Sequence, residues 1–349
     1  MPVGHPAKVY GLPNSNHRQE AGINEADSAA AVRRAIPSGA VERLWAAADG
    51  YPIRVIDWPA PDAATQVRGK ILFMPGRGDF YEKYLDSFEH WRLQGWQVRA
   101  ADWRGQAGSG RLGGDAAAGY NVGHVDDFSV WVDDLARLWG DLNTGGTLPM
   151  VLIGHSMGGH VALRAVIDRA LEPAPAALVL SAPMLDVVPE LLPIFFKRAY
   201  AGLMTKLGAP SRAAWKMSEK PGSKLKLRQM LLTHDDARYA DEDWWRVERP
   251  YLSLGPGSWG WLRAAMNSAA MIFRRGALDS VDVPVLFVAT TADRLVSPAA
   301  IRRALARLPK AEACMFGTEA RHEIFREEDG PRLRAWSAID DFLARNTAR

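Results

Sequence analysis

Residues 150–170, MVLIGHSMGGHVALRAVIDRA, constrain what this chain can fold into more than any other stretch. Met150 to Ile153 form a short unbroken apolar run, which suits a strand covered on both faces of a parallel sheet. Val161, Leu163, Ala165, Val166 and Ile167 then follow with the density of a helix packed on that strand. Between the two, Gly154 and Gly158 stand two residues either side of Ser156. A serine at the tip of a strand-to-helix turn sits in strained backbone, and neighbours without Cβ let the turn close and the helix pack. The first amides of the helix then face the hydroxyl, where they stabilise negative charge. A glycine-rich turn with an idle serine is the alternative, and the rest of the chain decides between them.

Upstream, Val41–Ala48 and Tyr51–Trp58 flank Asp49-Gly50 and read as a hairpin. Lys70–Met74 is a third strand, stopped by Pro75, Gly76, Arg77 and Gly78. Tyr84, Leu85, Phe88, Trp91 and Leu93 keep helical spacing before a strand at Trp96–Ala101. Phe128, Val130, Trp131, Leu135, Leu138 and Trp139 mark another helix, its start capped by Asp126 or Asp127. Further strands read at Ala177–Leu180, Val283–Ala289 and Ala311–Phe316. Strands alternating with helices predict an α/β fold, a mostly parallel sheet with helices on both faces.

The alternation fails between Met184 and about Ser280, where helical patterns, scattered prolines and the tryptophans 244, 245, 259 and 261 predict an inserted helical cap. Pro189, Pro193, Pro210, Pro221, Pro250 and Pro256 punctuate it. The domain reading is an N-terminal arm at 1–36, a first core part at 37–183, the cap at 184–280 and a second core part at 281–349. Within the cap, Leu192, Phe196, Tyr200, Leu203 and Leu207 share one helical face, with Lys197, Arg198 and Thr205 opposite. The expectation is that this apolar face packs the cap onto the core; contact with acyl chains or a membrane surface is the alternative.

Composition excludes several classes. Of 349 residues, 43 are Lys or Arg and 40 are Asp or Glu, interspersed without a long basic block, which argues against nucleic acid. A single cysteine, Cys314, rules out an internal disulfide framework and CxxC sites. No metal or cofactor is expected. No run of eighteen apolar residues occurs, and the arm has no signal-peptide pattern. Cytoplasmic residence is the default expectation, with peripheral contact at the inner membrane face as a variant of it.

A serine hydroxyl needs a base within hydrogen-bond reach, itself oriented by a carboxylate. Of the eight histidines, His155 lies in the turn and cannot fold back onto the hydroxyl, and His160 lies just beyond it. His5 and His17 fall in the arm, and His90, His124 and His234 do not follow a late strand. His322 follows the last strand in a loop and is the candidate base. Asp293, after the strand at 283–289, is the first candidate for the acid, and Asp186 is the runner-up. Met157 N–H and an amide of the 75–78 turn, Arg77 N–H first, are the candidate donors to an oxyanion. Asp102, Arg104 and Gln106 are expected to brace the loop behind the serine.

The chain resembles an α/β-hydrolase of the lysophospholipase and monoacylglycerol lipase group, and is most similar to its bacterial lysophospholipase branch. FMPGRGDFYEKY, ADWRGQAGSGR, GHVDDF, GHSMGG, LTHDDARYADEDWW, PYLSLGPGSWGWL, TTADRLV and ARHEIF carry the resemblance from about Trp45 to the end, cap included. It implies a triad of Ser156, Asp293 and His322 and oxyanion amides at Arg77 and Met157. Pro75 stands where many lipases have histidine, which separates this chain from them and matches the bacterial branch. The implied activity is hydrolysis of carboxylic esters of single-chain lipids, a lysophospholipase or monoacylglycerol lipase working through an acyl-enzyme. Competing readings are a serine hydrolase acting on a small ester, lactone or aminoacyl amide, and a non-catalytic binding protein on the same scaffold. Phe195, Phe196, Trp244 or Trp259 are candidates to shelter an acyl chain. The Arg77 side chain is expected at the surface, with contact to a phosphate headgroup as the alternative.

Overall fold

The computed structural model describes residues 25–59, 66–113, 122–143, 146–187, 194–215 and 225–347. Most of the arm, together with Leu192, Pro189, Pro193 and Pro221, lies outside them. Among the described residues, eight strands form one sheet: β1 (Val41–Ala46), β2 (Pro52–Asp57), β3 (Gly69–Met74), β4 (Trp96–Ala101), β5 (Met150–His155), β6 (Ala177–Ser181), β7 (Val285–Thr290) and β8 (Ala311–Phe316). Their order is β1-β2-β4-β3-β5-β6-β7-β8. β1 and β2 pair antiparallel as the hairpin predicted at Asp49-Gly50, β2 runs antiparallel to β4, and every later pairing is parallel.

Side chains of the central strands alternate between two cores, as the two-residue period of a strand requires. Leu72, Met74, Leu152, Leu178, Leu180 and Phe287 pack on one face against α3 (Ser129–Leu142), α4 (Met157–Ile167) and α9 (Pro298–Leu305). Ile71, Phe73, Val151, Ile153, Val179 and Val288 pack on the other against α2 (Leu85–Leu93) and α10 (Asp329–Asn346). β5, β6 and β7 are buried along their whole length, which is why each reads as a continuous apolar run.

The insertion between β6 and β7 carries α5 (Ile194–Lys206), α6 (Leu225–Leu232), α7 (Asp236–Glu248) and α8 (Trp259–Ile272). α8 buries Trp261, Ala264, Ala265, Met266 and Ile272 in the α4-side core. α5 is placed the other way round from expectation. Phe195, Phe196, Tyr200, Leu203 and Leu207 are between 52% and 70% exposed, whereas Lys197, Ala201 and Thr205 are buried. Lys197 supplies a reason. Its ammonium donates to Asp186 at 2.8 Å and to the Val187 carbonyl, so the charge is satisfied while its aliphatic stem packs.

Two further expectations change. Residues 25–33, read as part of the arm, form α1 (Glu25–Arg33), held to α7 where Arg33 and Arg34 both bind Asp241. The N-cap of α3 is Phe128, without a side-chain cap; Asp127 instead accepts from Ser129 N–H at 2.8 Å, and Asp126 faces His124 at 3.4 Å.

Candidate active site

Ser156 joins β5 to α4 with φ +51° and ψ −114°, a left-handed conformation that a side chain rarely adopts. The turn closes because Gly154 and Gly158 carry no side chain. A Cβ on Gly154 would stand 2.6 Å from the Gly158 carbonyl oxygen, and one on Gly158 would stand 2.2 Å from that of Met74. The turn is tied down by Ser156 N–H donating to Ser181 O at 2.8 Å and by Met184 N–H donating to Ser156 O at 2.9 Å.

Two loops at the carboxyl ends of β7 and β8 bring the other side chains to this turn. His322 Nε2 is 2.9 Å from Ser156 Oγ, and His322 Nδ1 is 2.7 Å from Asp293 Oδ2. Asp293 Oδ1 accepts from Leu295 N–H and Val296 N–H, at 2.8 and 3.0 Å, which fixes the carboxylate plane. Asp186 is taken up by Lys197 rather than by the histidine. Ser156, Asp293 and His322 are 9%, 8% and 4% exposed, so the hydrogen-bonded chain runs through a nearly dry environment, where electrostatic interactions are strong.

Ionisation follows from these contacts. Burial favours neutral Asp293, but the His322 imidazole and two backbone amides outweigh it and hold the carboxyl below its ordinary range. Burial likewise pulls His322 down, yet Asp293, with Glu323 and Asp79 behind it, raises it above 6.5. His155, whose ring centroid is 4.9 Å from that of His322, is pushed down to about 4, mainly by burial and then by His322. His160 bonds Met184 O and Ser268 Oγ and is engaged in packing between α4 and α8.

The 75–78 turn lies against the serine: a Cβ on Gly76 would meet Ser156 Cβ at 3.2 Å. Asp79 accepts Gly76 N–H at 3.2 Å, Gln106 accepts Gly78 N–H at 2.7 Å, and Pro75 O accepts from Trp103 Nε1 at 2.7 Å. Gln106 thus braces the turn directly. Asp102 and Arg104 act further out, through Arg54 and through Asp49 and Asp134. Arg77 is half-buried against the cap rather than the exposed arginine expected. Its guanidinium lies 5.3 Å from the Trp215 ring and 5.1 Å from that of Trp261, and donates to Gly255 O at 2.7 Å.

Sequence reasoning missed a buried ionic cluster beside the Ser156–His322–Asp293 chain. Lys83 Nζ is 2.7 Å from Asp79, 3.2 Å from Glu242 on α7, and also bonded to Glu323. Asp79, His155 and Glu323 are close enough together to suggest metal ligands, but the Lys83 ammonium already supplies the cation between the two carboxylates. The signal was present in FYEKY and in the glutamate directly after His322, without anything local to pair them. Phe195 and Phe196 point to solvent rather than sheltering a chain; Trp244 is 37% exposed, and Trp259 is buried against Tyr200 and Arg212.

The Hydrolase_4 family, described as serine aminopeptidase, S33, matches residues 65–329. Lysophospholipase L2 of Escherichia coli strain K12 is 26% identical over 311 residues, 86% of each protein. The monoacylglycerol lipase of Mycolicibacterium smegmatis is 30% identical over 167 residues, 48% of this chain and 54% of that protein. Among solved structures, a soluble variant of monoglyceride lipase from Saccharomyces cerevisiae superposes with TM-score 0.69 at 20% identity, covering 90% of this chain and 97% of the other. At that identity the likeness is one of fold, the α/β-hydrolase fold.

Proposed function

The chain belongs to the Hydrolase_4 family, and from that premise we propose that it is a serine hydrolase cleaving carboxylic esters of single-chain lipids, with Ser156, His322 and Asp293 as its triad. The observation that carries this reading is the hydrogen-bonded chain from Ser156 Oγ through the His322 ring to Asp293. Ser156 Oγ attacks the acyl carbonyl while His322 Nε2 takes its proton, and Asp293 stabilises the imidazolium that forms. Met157 N–H and Arg77 N–H receive the oxyanion. His322 returns the proton to the leaving alcohol; water then repeats the sequence on the acyl-enzyme and releases the fatty acid.

Lipid is favoured over peptide for two reasons. The similarity to lysophospholipase L2 spans 86% of both chains, which takes in the cap. An aminopeptidase needs a carboxylate for the substrate ammonium, and beside this serine Asp79 is already paired with Lys83 and Glu323 with Lys83 and Arg326. The outward apolar face of α5 adds a surface suited to lipid. Residues 194–230 hold nine Lys or Arg and one Glu, so that face is part of a basic segment, the pairing that anionic bilayers attract. Among the described residues no helix is long and apolar enough to cross a membrane, so contact with a bilayer is peripheral in this reading.

The test is a substrate panel of lysophosphatidylcholine, monoolein, short p-nitrophenyl esters and an aminoacyl amide, with fluorophosphonate labelling alongside. Lipid esters are expected to be turned over best, and Ser156→Ala to lose labelling and on the order of 10⁶-fold in kcat. Labelling that survives Ser156→Ala, or a preference for the amide, contradicts the reading.

A further inference from the structure

We propose that the Arg77 side chain is a tie through which the cap holds the oxyanion turn, so that the donor at Arg77 N–H is in place only while the cap is seated. This rests on the serine hydrolase reading above and adds a positioning role to it.

The core anchors the turn on either side of Arg77, through Trp103 at Pro75, Asp79 at Gly76 and Gln106 at Gly78. Those anchors leave the peptide plane between residues 76 and 77 one soft rotation, which turns its N–H away while its neighbours stay fixed. Gly76, which bounds that plane and carries no Cβ, permits the rotation from its side. The Arg77 side chain opposes it from the cap. Trp261, on α8, and Trp215, in the segment after α5, approach the guanidinium with their rings, and Gly255 O accepts from it. The two rings meet edge to face at 6.2 Å, so they form one wall rather than two separate contacts.

The rest of the seat is shaped to the guanidinium. A Cβ at Gly123 would stand 2.7 Å from Arg77 Nη2 and 3.0 Å from Leu254. Gly123 is itself stitched to the cap, donating to Pro256 O and accepting from Ser258 N–H, both at 2.9 Å. Arginine suits this position because a planar, weakly hydrated cation can stack on indoles while donating in its own plane. The consequence is functional: a displaced cap releases the turn, and an open, wet site then lacks half of its oxyanion stabilisation.

The experiment is steady-state hydrolysis of p-nitrophenyl acetate, which has neither acyl chain nor headgroup, by Arg77→Leu, Arg77→Lys, Trp215→Leu and the double variant Arg77→Leu/Trp215→Leu. Outright loss of one oxyanion donor costs about a hundred- to a thousandfold in turnover. Loosening one is expected to lower kcat in Arg77→Leu by about tenfold to a hundredfold, with KM within about twofold. Arg77→Lys, which keeps a cation over the rings, recovers part of the loss. Trp215→Leu loses less than Arg77→Leu, and the double variant loses no more than Arg77→Leu alone.

Parent-like kcat in Arg77→Leu overturns the tie, as does a defect confined to KM for lysophosphatidylcholine, which would mark a headgroup contact. Additive losses in the double variant also overturn it. Fluorophosphonate labelling of each variant, absent in Ser156→Ala, tells failure of the tie from failure of the serine reading. If Arg77→Leu does not fold, Arg77→Lys and Trp215→Leu read the same coupling.

Discussion

His322 is held between opposed influences, and their balance fixes the pH at which the enzyme works. Burial favours the neutral ring; Asp293 at 2.7 Å, with Glu323 and Asp79 nearby, favours the charged one and prevails. In the proposed mechanism only the neutral ring accepts the serine proton, so kcat/KM for p-nitrophenyl acetate is expected to rise with pH through a single ionisation centred above 6.5. His155 adds no second step near neutrality, because burial and then His322 keep it at about 4. Asp293→Asn removes the largest opposing charge, so the midpoint should move down while kcat falls by roughly 10⁴. A parent midpoint at or below 6.5 would mean that burial wins instead.

At the scale of elements, Lys83 joins three pieces of chain that meet nowhere in sequence. Asp79 belongs to the oxyanion turn and gives its other oxygen to Gly76 N–H; Glu323 follows His322; Glu242 lies within α7 of the cap, where Arg228, Arg246 and Arg326 also reach it. Lys83→Met leaves these buried carboxylates short of a cation, and breaking a buried ion pair from one side costs about 3–5 kcal/mol. Urea unfolding should show a loss of that size. Acid stability should change as well. Asp79 is disfavoured as an anion by burial but held at about 2 by Lys83 and then His155, so its contribution is present above 3.8 and lost as the pH falls toward 2. Without the ammonium, that loss sets in at a higher pH. A variant as stable as the parent at pH 7 and pH 4 would show the cluster to be incidental.

This cluster also marks where reading the sequence stops. The strands and the Ser156 turn are encoded by neighbours: a buried run such as VLFVAT or a glycine two residues from a serine is visible within ten residues. Chain order and the resemblance to the lysophospholipase group pointed to Asp293 and His322, and both lie where the strand edges were expected to bring them. Lys83 and Glu323, 240 residues apart, carry no such local mark. α5 fails for a different reason. Its period reveals an apolar face and a polar one, but not which of them meets the protein, and Lys197 can be buried only because Asp186 and a backbone carbonyl are waiting for it.

The whole molecule therefore presents to its surroundings a cap helix with its apolar side outward. Phe195 and Phe196 pack edge to face at 5.6 Å on that side, with Tyr200 and Leu203 along the same helix and Leu207 just past its end. An exposed apolar patch of this kind marks a surface that something covers at work, and under the proposed action on lipid esters a lipid surface is the cover that matches the basic segment around it. Burying two phenylalanines part-way into the interface contributes about 2 kcal/mol, which is roughly a thirtyfold change in partitioning. Phe195→Ser/Phe196→Ser is accordingly expected to bind phosphatidylglycerol vesicles about thirtyfold more weakly in a sedimentation assay. Turnover of p-nitrophenyl acetate should stay at the parent level, because neither ring touches the triad. Raising salt should weaken the parent's binding to these vesicles and leave its weaker binding to neutral vesicles unchanged, since screening acts on the charges and not on the apolar face. Unaltered vesicle binding by the double variant would transfer the role of that face to contact with a protein, beginning with a second copy of the chain.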